Sequence, residues 1–437
     1  WTVLRQAGAA AREMLTSAAA AQWKVKPAEC RAEAGHVIHK SGKKLSYGKL
    51  VAAASNLTVP KKPQLKSRED FKFIGKPQTH WDVDDVATGK ASFGIDAVVP
   101  GMLYVAIERS PKVKGKVKSI DDTAAKKVKG VRNVVQLDPL PQPLNTNAGV
   151  AVVADHTWAA FKGRKALKVT WALGGKENTE SQKIALRAAV RTGGQVDRKD
   201  GDVAAGLKKA KAKHKSAYYS PYLVHAPMEP MSCVAVTRKG SCEVWAPTQD
   251  PQRAQKSIAG YLKIPPKKVK VHVTLLGGGF GRKSQPDFIL EAVQVAKKVG
   301  KPVKVVWSRE DEVRHGFYHA EAYQEIEAGL DAAGKPLTWH HKTGFPTIMT
   351  VFKDGADRAQ PWEVGMGATN IPFDIDHVLV ESAKITSDLR IGWLRAVCNV
   401  WHAFAVNSFV DELAAKAKQD SVKYRLGLLG KHRVLKD

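Results

Sequence analysis

Cysteine is nearly absent. Cys30, Cys233, Cys242 and Cys398 are the whole supply in 437 residues, and no two are spaced as CxxC. That excludes an iron–sulfur or zinc site held by a local cysteine cluster. Cys233 and Cys242 flank a Lys239-Gly240 turn and could face each other across a hairpin, as free buried thiols or as a disulfide. Long apolar runs are missing too: nothing approaches the roughly 18 residues that a membrane-spanning helix needs. The first 21 residues are alanine-rich but carry Arg5, Arg12 and Glu13, which is not the pattern of a signal peptide. HExxH, EF-hand and serine- or cysteine-nucleophile motifs are absent. Acidic residues are scarce. Asp and Glu total 42 against 70 Lys and Arg, a formal net charge of +28. Such an excess suits nucleic acid, an acidic membrane surface or an acidic protein partner. The lysines are scattered, however, and the densest runs, 112–118 and 208–215, lack interleaved aromatics. That favours solvated faces over a single-strand groove.

What is present centres on residues 267–283, KKVKVHVTLLGGGFGRK. Val269, Val271, Val273 and Leu275 alternate with Lys268, Lys270, His272 and Thr274, the period of a half-buried strand. The strand runs into Gly277, Gly278, Gly279, Phe280 and Gly281. Successive glycines cost chain entropy and are tolerated where backbone bends sharply or approaches something closely. After Pro286, the residues Phe288, Ile289, Ala292, Val293, Ala296 and Val299 fall at helical spacing, with Gly300 as a stop. A glycine loop between strand and helix aims backbone N–H groups at an anionic ligand. The dinucleotide and P-loop fingerprints both fail, on Arg282 and Ser284. Upstream, PTQD before RAQKSIAGYLKI places Gln249 in a strand-to-helix turn. Downstream, Arg395 stands just before a long helix, where a cation opposes the helix dipole and calls for an anionic or oxo partner.

TLLGGGFGRK resembles the molybdopterin-contacting loop of the large subunit of the xanthine dehydrogenase and aldehyde oxidase family. The likeness lies with the branch of isoquinoline 1-oxidoreductase and bacterial membrane-bound aldehyde dehydrogenases. VWAPTQDPQ, RSPKVKGKVKSIDDTAAKKVKGV, PVKVVWSREDEVRHGFYHA and GWLRAVCNVWHAFAVNSFVDELA resemble family segments in the same order. The resemblance implies an α+β, multi-domain large-subunit fold with mixed sheets flanked by helices. It implies that Gln249 hydrogen-bonds an oxygen ligand of molybdenum and that Phe280 and Gly281 present backbone beside the metal. Gly278 and Gly279 would allow the close approach, and Arg395 would contact the cofactor from an opposite loop. No side chain of this chain would ligate the metal.

The implied cofactor is molybdenum-molybdopterin cytosine dinucleotide, with 2Fe-2S clusters on a small iron–sulfur partner subunit and a cytochrome c subunit as a further partner. The implied reaction hydroxylates an aldehyde or N-heteroaromatic carbon with water, in a periplasm-facing protein associated with the membrane through a partner; the cytoplasm is the alternative. The family's basic glutamate, in a GVGE-like segment, has no counterpart here: VGMG at 364–367 is not followed by Glu. The MGQG segment is missing as well. The chain therefore reads as a middle portion of the subunit, unable to turn over alone. Glu229, in HAPMEP, lies in a loop bordering the substrate channel and is not assigned as the base.

Taken in order, residues 1–66 read as the end of a cofactor-binding domain, opened by a helix over 2–23 with Leu4, Ala7, Ala11, Leu15 and Ala18 on one side. Residues 67–175 read as a small α+β substrate-side domain, with strands around Pro100-Gly101 and a short helix capped by Ser119 or Asp121. Residues 176–215 read as a lysine-rich surface linker, and 216–437 as the molybdopterin-binding region. His340 and His341 fall on opposite faces of a strand, so they cannot share a metal. The charged run Arg309, Glu310, Asp311, Arg314 and His315 reads as a surface ion-pair network. Two other classes compete with the redox enzyme: a polyanion- or nucleic-acid-binding protein, motivated by the charge, and a catalytically silent scaffold, motivated by the missing glutamate.

Overall fold

Valine-rich stretches from distant parts of the chain meet in one seven-stranded mixed sheet. The strands lie in the order Val269–Val273, Ser241–Ala246, Ser232–Arg238, Val303–Val306, Leu103–Arg109, Gly149–Ala154 and Val131–Leu137. The computed structural model describes residues 1–141, 144–175 and 177–430. Val303–Val306 is central. It runs parallel to Leu103–Val105 on one side and antiparallel to Ser232–Ala235 on the other. The helix Asp287–Val299 packs on this sheet with Phe288, Ile289, Ala292, Val293 and Ala296 buried, and it ends at left-handed Gly300 as expected. Each large apolar side chain so buried contributes about 1.5–3 kcal/mol relative to exposure. Val269 is buried, but Val273 and Leu275 emerge, because the strand lies at the sheet edge and climbs toward the glycine loop.

A second sheet has five strands, in the order Ala212–Ser220, Ala322–Leu330, Thr338–Gly344, His377–Ser382 and Gln195–Asp200. The helix Asn399–Lys416 packs on it through Val406, Phe409, Val410 and Leu413. The mixed sheets with flanking helices match the expected fold class. The expected linker does not exist as such. Residues 179–192 form a helix whose Leu186 and Val190 are buried against Tyr323 and Ile385, and Gln195–Asp200 completes the five-stranded sheet. Likewise, the strands of 103–154 share a sheet with those of 232–306, across the division expected near residue 175.

The compact units are Trp1–Thr88 and Gly89–Asp437. In the first, the helix Thr2–Trp23 packs with a three-stranded antiparallel sheet and the helix Tyr47–Ser55 around Ala18, Ala19, Val37, Leu50 and Ala54. Its buried face differs from the expected one: Leu4 is 78% exposed, and Ala9, Ala10 and Ala18 to Ala20 are buried. A run of alanines leaves the rotation of a helix to its packing partners.

Smaller corrections concern 93–126. Around Pro100-Gly101 one strand forms, starting at Leu103, after a short 3-10 turn at Gly94–Asp96. The helix Thr123–Lys126 has Asp122 at its N-cap, Ser119 lies in a strand, and Asp121 instead accepts from Thr123 N–H at 3.1 Å. All four cysteines are free thiols, and Cys242 pairs across the hairpin with Thr237 rather than Cys233.

Candidate functional site

The strand Ser241–Ala246 ends in a turn because Asp250 caps the next helix, Pro251–Leu262, accepting from Arg253 N–H at 2.9 Å. That turn projects Gln249 toward the glycine loop. Its Oε1 accepts from Gly281 N–H at 3.0 Å, and its own N–H donates to Lys283 O at 3.0 Å. From the other side, Arg395 N–H donates to Phe280 O at 2.8 Å, and the Arg395 guanidinium lies 5.6 Å from the centre of the Phe280 ring. Gln249, Gly278, Gly279, Phe280, Gly281 and Arg395 thus converge, although the sequence separates the outer two by 146 positions.

The loop is shaped by positions only glycine fills. A Cβ at Gly279 would stand 2.5 Å from Gln249 Oε1, and one at Gly281, where φ is +101°, would stand 2.0 Å from Trp393 O. Phe280, Ala396 and Val397 also adopt left-handed backbone, with φ of 54°, 74° and 44°. Each such non-glycine residue costs roughly 1–3 kcal/mol, a strain that clusters at ligand sites. The N–H groups of Gly278, Gly279 and Phe280 find no acceptor among the described residues. Three consecutive free N–H groups on a bent backbone make a concavity for negatively charged oxygen.

Beneath the loop the charges are matched. Arg282 forms a two-pronged pair with Asp287 at 2.8 Å on each arm, and Arg390 approaches the same carboxylate at 3.4 Å. Burial opposes ionisation of Asp287, but the two guanidinium groups outweigh it and hold its carboxyl below the usual range. Arg109 pairs with Glu291 at 2.8 and 2.6 Å, and Arg164 with Asp311 at 2.6 Å. The run 309–315, read as surface, therefore contributes to a buried network: Asp311 and Glu312 are both buried. Glu229 is buried as well. Its carboxylate accepts from Ile95 N–H at 2.9 Å, Gly277 N–H at 3.0 Å and Lys283 Nζ at 2.6 Å, anchoring the start of the loop. Burial lowers the Lys283 ammonium, and Glu229 opposes that shift. His225 Nε2 bonds Trp393 O at 2.6 Å, and burial pushes this histidine down to about 4.

Residues 184–427 match the molybdopterin cofactor-binding domain family, and residues 88–172 match the a/b hammerhead domain of aldehyde oxidase and xanthine dehydrogenase. The chain belongs to the molybdopterin-binding large subunits of that family. Among relatives of this large subunit, it is 30% identical over 482 residues to isoquinoline 1-oxidoreductase subunit beta of Brevundimonas diminuta, covering 98% of this chain and 60% of that protein. It is 29% identical to the membrane-bound aldehyde dehydrogenase [pyrroloquinoline-quinone] of Gluconacetobacter polyoxogenes, covering 98% of this chain and 58% of that protein. The chain thus spans 60% or less of the length of these relatives. The large-subunit fold also appears in quinoline 2-oxidoreductase from Pseudomonas putida 86, with TM-score 0.64 and 20% identity, covering 79% of this chain and 49% of that one.

The residues present fit a molybdopterin group: a glycine-rich loop with three N–H groups that find no acceptor among the described residues, an amide and a guanidinium converge on one spot. Sequence reasoning named Glu229 without its partner and missed three participants, Lys283, Trp393 and Arg253. Lys283 and Glu229 form a pair 54 positions apart, which no local pattern reveals. Trp393 sets its carbonyl and Cβ against Gly281. Arg253 did leave a signal, as a cation in the first turn of a helix. The described residues hold no group of three or more His, Cys, Asp or Glu side chains able to hold a metal ion.

Proposed function

We propose that this chain is the molybdenum-cofactor-binding part of an oxidoreductase that hydroxylates an aldehyde or an N-heteroaromatic substrate. The observation that carries the reading is the row of unpartnered N–H groups at Gly278, Gly279 and Phe280, flanked by Gln249 and Arg395. Gln249 spends its Oε1 on Gly281, so its Nε2 is the free donor, suited to an oxo or hydroxo oxygen. Arg395 supplies a cation with no carboxylate partner among the described residues, held over Phe280. Gly278 and Gly279 let the main chain approach without a side chain between. When bound, the group supplies the two-electron redox chemistry and incorporation of oxygen from water; the protein supplies binding, orientation and electrostatics.

Kinship with isoquinoline 1-oxidoreductase subunit beta and with the membrane-bound aldehyde dehydrogenase supports a subunit of a larger assembly and membrane association, and the finer points extend that reading. These are a cytosine dinucleotide on the pterin, 2Fe-2S clusters on a small partner subunit, a cytochrome c subunit, and a periplasm-facing position with membrane association through a partner. No helix among the described residues is long and apolar enough to cross a membrane. Glu229 is a positioning residue in this reading, because its carboxylate is committed to three donors.

The test is elemental and nucleotide analysis of the native protein. Molybdenum near one atom per chain, with a cytosine nucleotide released on acid treatment, is the expected result. Absence of molybdenum from protein made in molybdate-replete cells sinks the enzyme reading and leaves the scaffold. Release of pyrroloquinoline quinone without molybdenum would put a different redox group at the site.

A further inference from the structure

Around the loop, buried and half-buried arginines are matched with acids: Arg109 with Glu291, Arg164 with Asp311, Arg282 and Arg390 with Asp287, and Arg309 with Glu312. Arg253 breaks the rule. It is half-buried on the first turn of the helix Pro251–Leu262, four residues after Gln249. Its Nη2 is shut off from solvent with no hydrogen-bond partner, and its guanidinium has no carboxylate within ion-pair distance among the described residues. The nearest acids, Asp250 and Asp287, act only at longer range, and burial pushes the guanidinium down. A cation at this end of a helix also opposes the dipole. Two separate costs fall on one side chain, and among the described residues only longer-range acids and one aromatic ring offset them.

Its surroundings say what would. The guanidinium sits 5.5 Å from the centre of the Phe352 ring, which meets Trp393 edge-on at 5.6 Å. Phe352 is 53% exposed, a large apolar surface to leave in water. Trp393 is the residue whose backbone closes against Gly281, so the line Arg253, Phe352, Trp393 leads to the glycine loop. Arg395 already supplies the loop with a cation. The geometry points to Arg253 as the anion-recognising residue for a planar aromatic or heteroaromatic substrate that carries a carboxylate, its ring lying against Phe352 and Trp393. This rests on the proposed function for the identity of the site, and it narrows the substrate class. A guanidinium fork suits a carboxylate, and the same chemistry suits a phosphate of the cofactor. The substrate is the source we assign, because the exposed aromatic pair beside Arg253 calls for a flat ring.

The experiment measures binding of benzoate and its neutral isostere benzamide to the native protein, isolated with whatever subunits accompany it, by calorimetry. Wild type should prefer benzoate by about tenfold or more, the size of one charge-assisted pair. Arg253→Gln should abolish that preference by weakening benzoate while benzamide changes little, and Arg253→Lys should restore part of it. Equal weakening of both ligands, or unchanged benzoate binding in Arg253→Gln, overturns the proposal. So does a loss of molybdenum and bound nucleotide in Arg253→Gln, which would assign the guanidinium to a cofactor phosphate. Binding is read without turnover, so a protein that prefers benzoate through Arg253 yet contains no molybdenum refutes the proposed redox chemistry and not the anion site.

Discussion

The arginines below the glycine loop and those at its rim are the same residue type in opposite states. Arg282, Arg390 and Arg109 are buried, and each is locked to a carboxylate. Arg253 and Arg395 carry their charge beside aromatic rings without an acid partner among the described residues. A paired guanidinium has its charge answered, even where one nitrogen such as Arg282 Nε is left without a hydrogen-bond partner, so it serves the fold. An incomplete one keeps its capacity for something that arrives later. Backbone follows the same division: the N–H of Gly277 is consumed by Glu229, whereas those of Gly278, Gly279 and Phe280 are left open. Charge pairing therefore separates support from recognition here better than residue type does.

The sharpest way to break the comparison is to open a completed pair. Asp287→Asn leaves two buried guanidinium groups without a counter-charge and should cost about 3–5 kcal/mol of stability, measured by urea unfolding. A change near zero would mean that the charges beneath the loop are dispensable.

Acid should act next. His225 and His402 are each held down to about 4, in both cases chiefly by burial. Between about pH 6.5 and pH 4 the unfolded chain binds more protons than the folded one, so stability rises with pH across that window. Both histidines contribute fully above about 6.5, and each contribution is lost as pH falls toward 4, up to about 3 kcal/mol per histidine. Unfolding curves at pH 7.5, 6 and 5 test this, and His225→Asn should flatten the slope.

Glu229→Gln keeps the shape but removes the charge facing Lys283. A loss of about 1–3 kcal/mol is expected. In a double-mutant cycle with Lys283→Met the two losses should fall short of additive, since they break one interaction. Full additivity would separate Glu229 from Lys283 in energy despite their 2.6 Å contact. At the rim, Arg395→Gln should leave stability within about 0.5 kcal/mol. It should still lower the molybdenum content of the native protein; a stability loss like that of Asp287→Asn would move Arg395 into the supporting class.

This division also explains what the sequence could reveal. The loop, the Gln249 turn and the position of Arg395 are local signals: a glycine run, a capped helix start, a cation before a helix. The helix Asp287–Val299 was legible from its period and its glycine stop. The opposed faces of His340 and His341 were legible too: one bonds Glu381 at 2.6 Å, the other Gln324 at 2.9 Å. Pairs such as Arg109 with Glu291 join positions 182 apart, and no periodicity announces them. The same limit hid the role of 179–215, whose helix and two strands find their partners only at distant positions, in and against the second sheet. Arg253 was written in the sequence and went unread, because its meaning depends on which acids are missing around it.

The central strand Val303–Val306 carries a consequence for how the protein is made. It is the seam between Leu103–Arg109 and Ser232–Arg238, and it leaves the ribosome after both. Until those four residues emerge, two partial sheets present sticky valine-lined edges with no mate, and pairing across some 200 positions is inherently slow. Biogenesis in a foreign host should therefore depend on chaperone supply more than on codon choice.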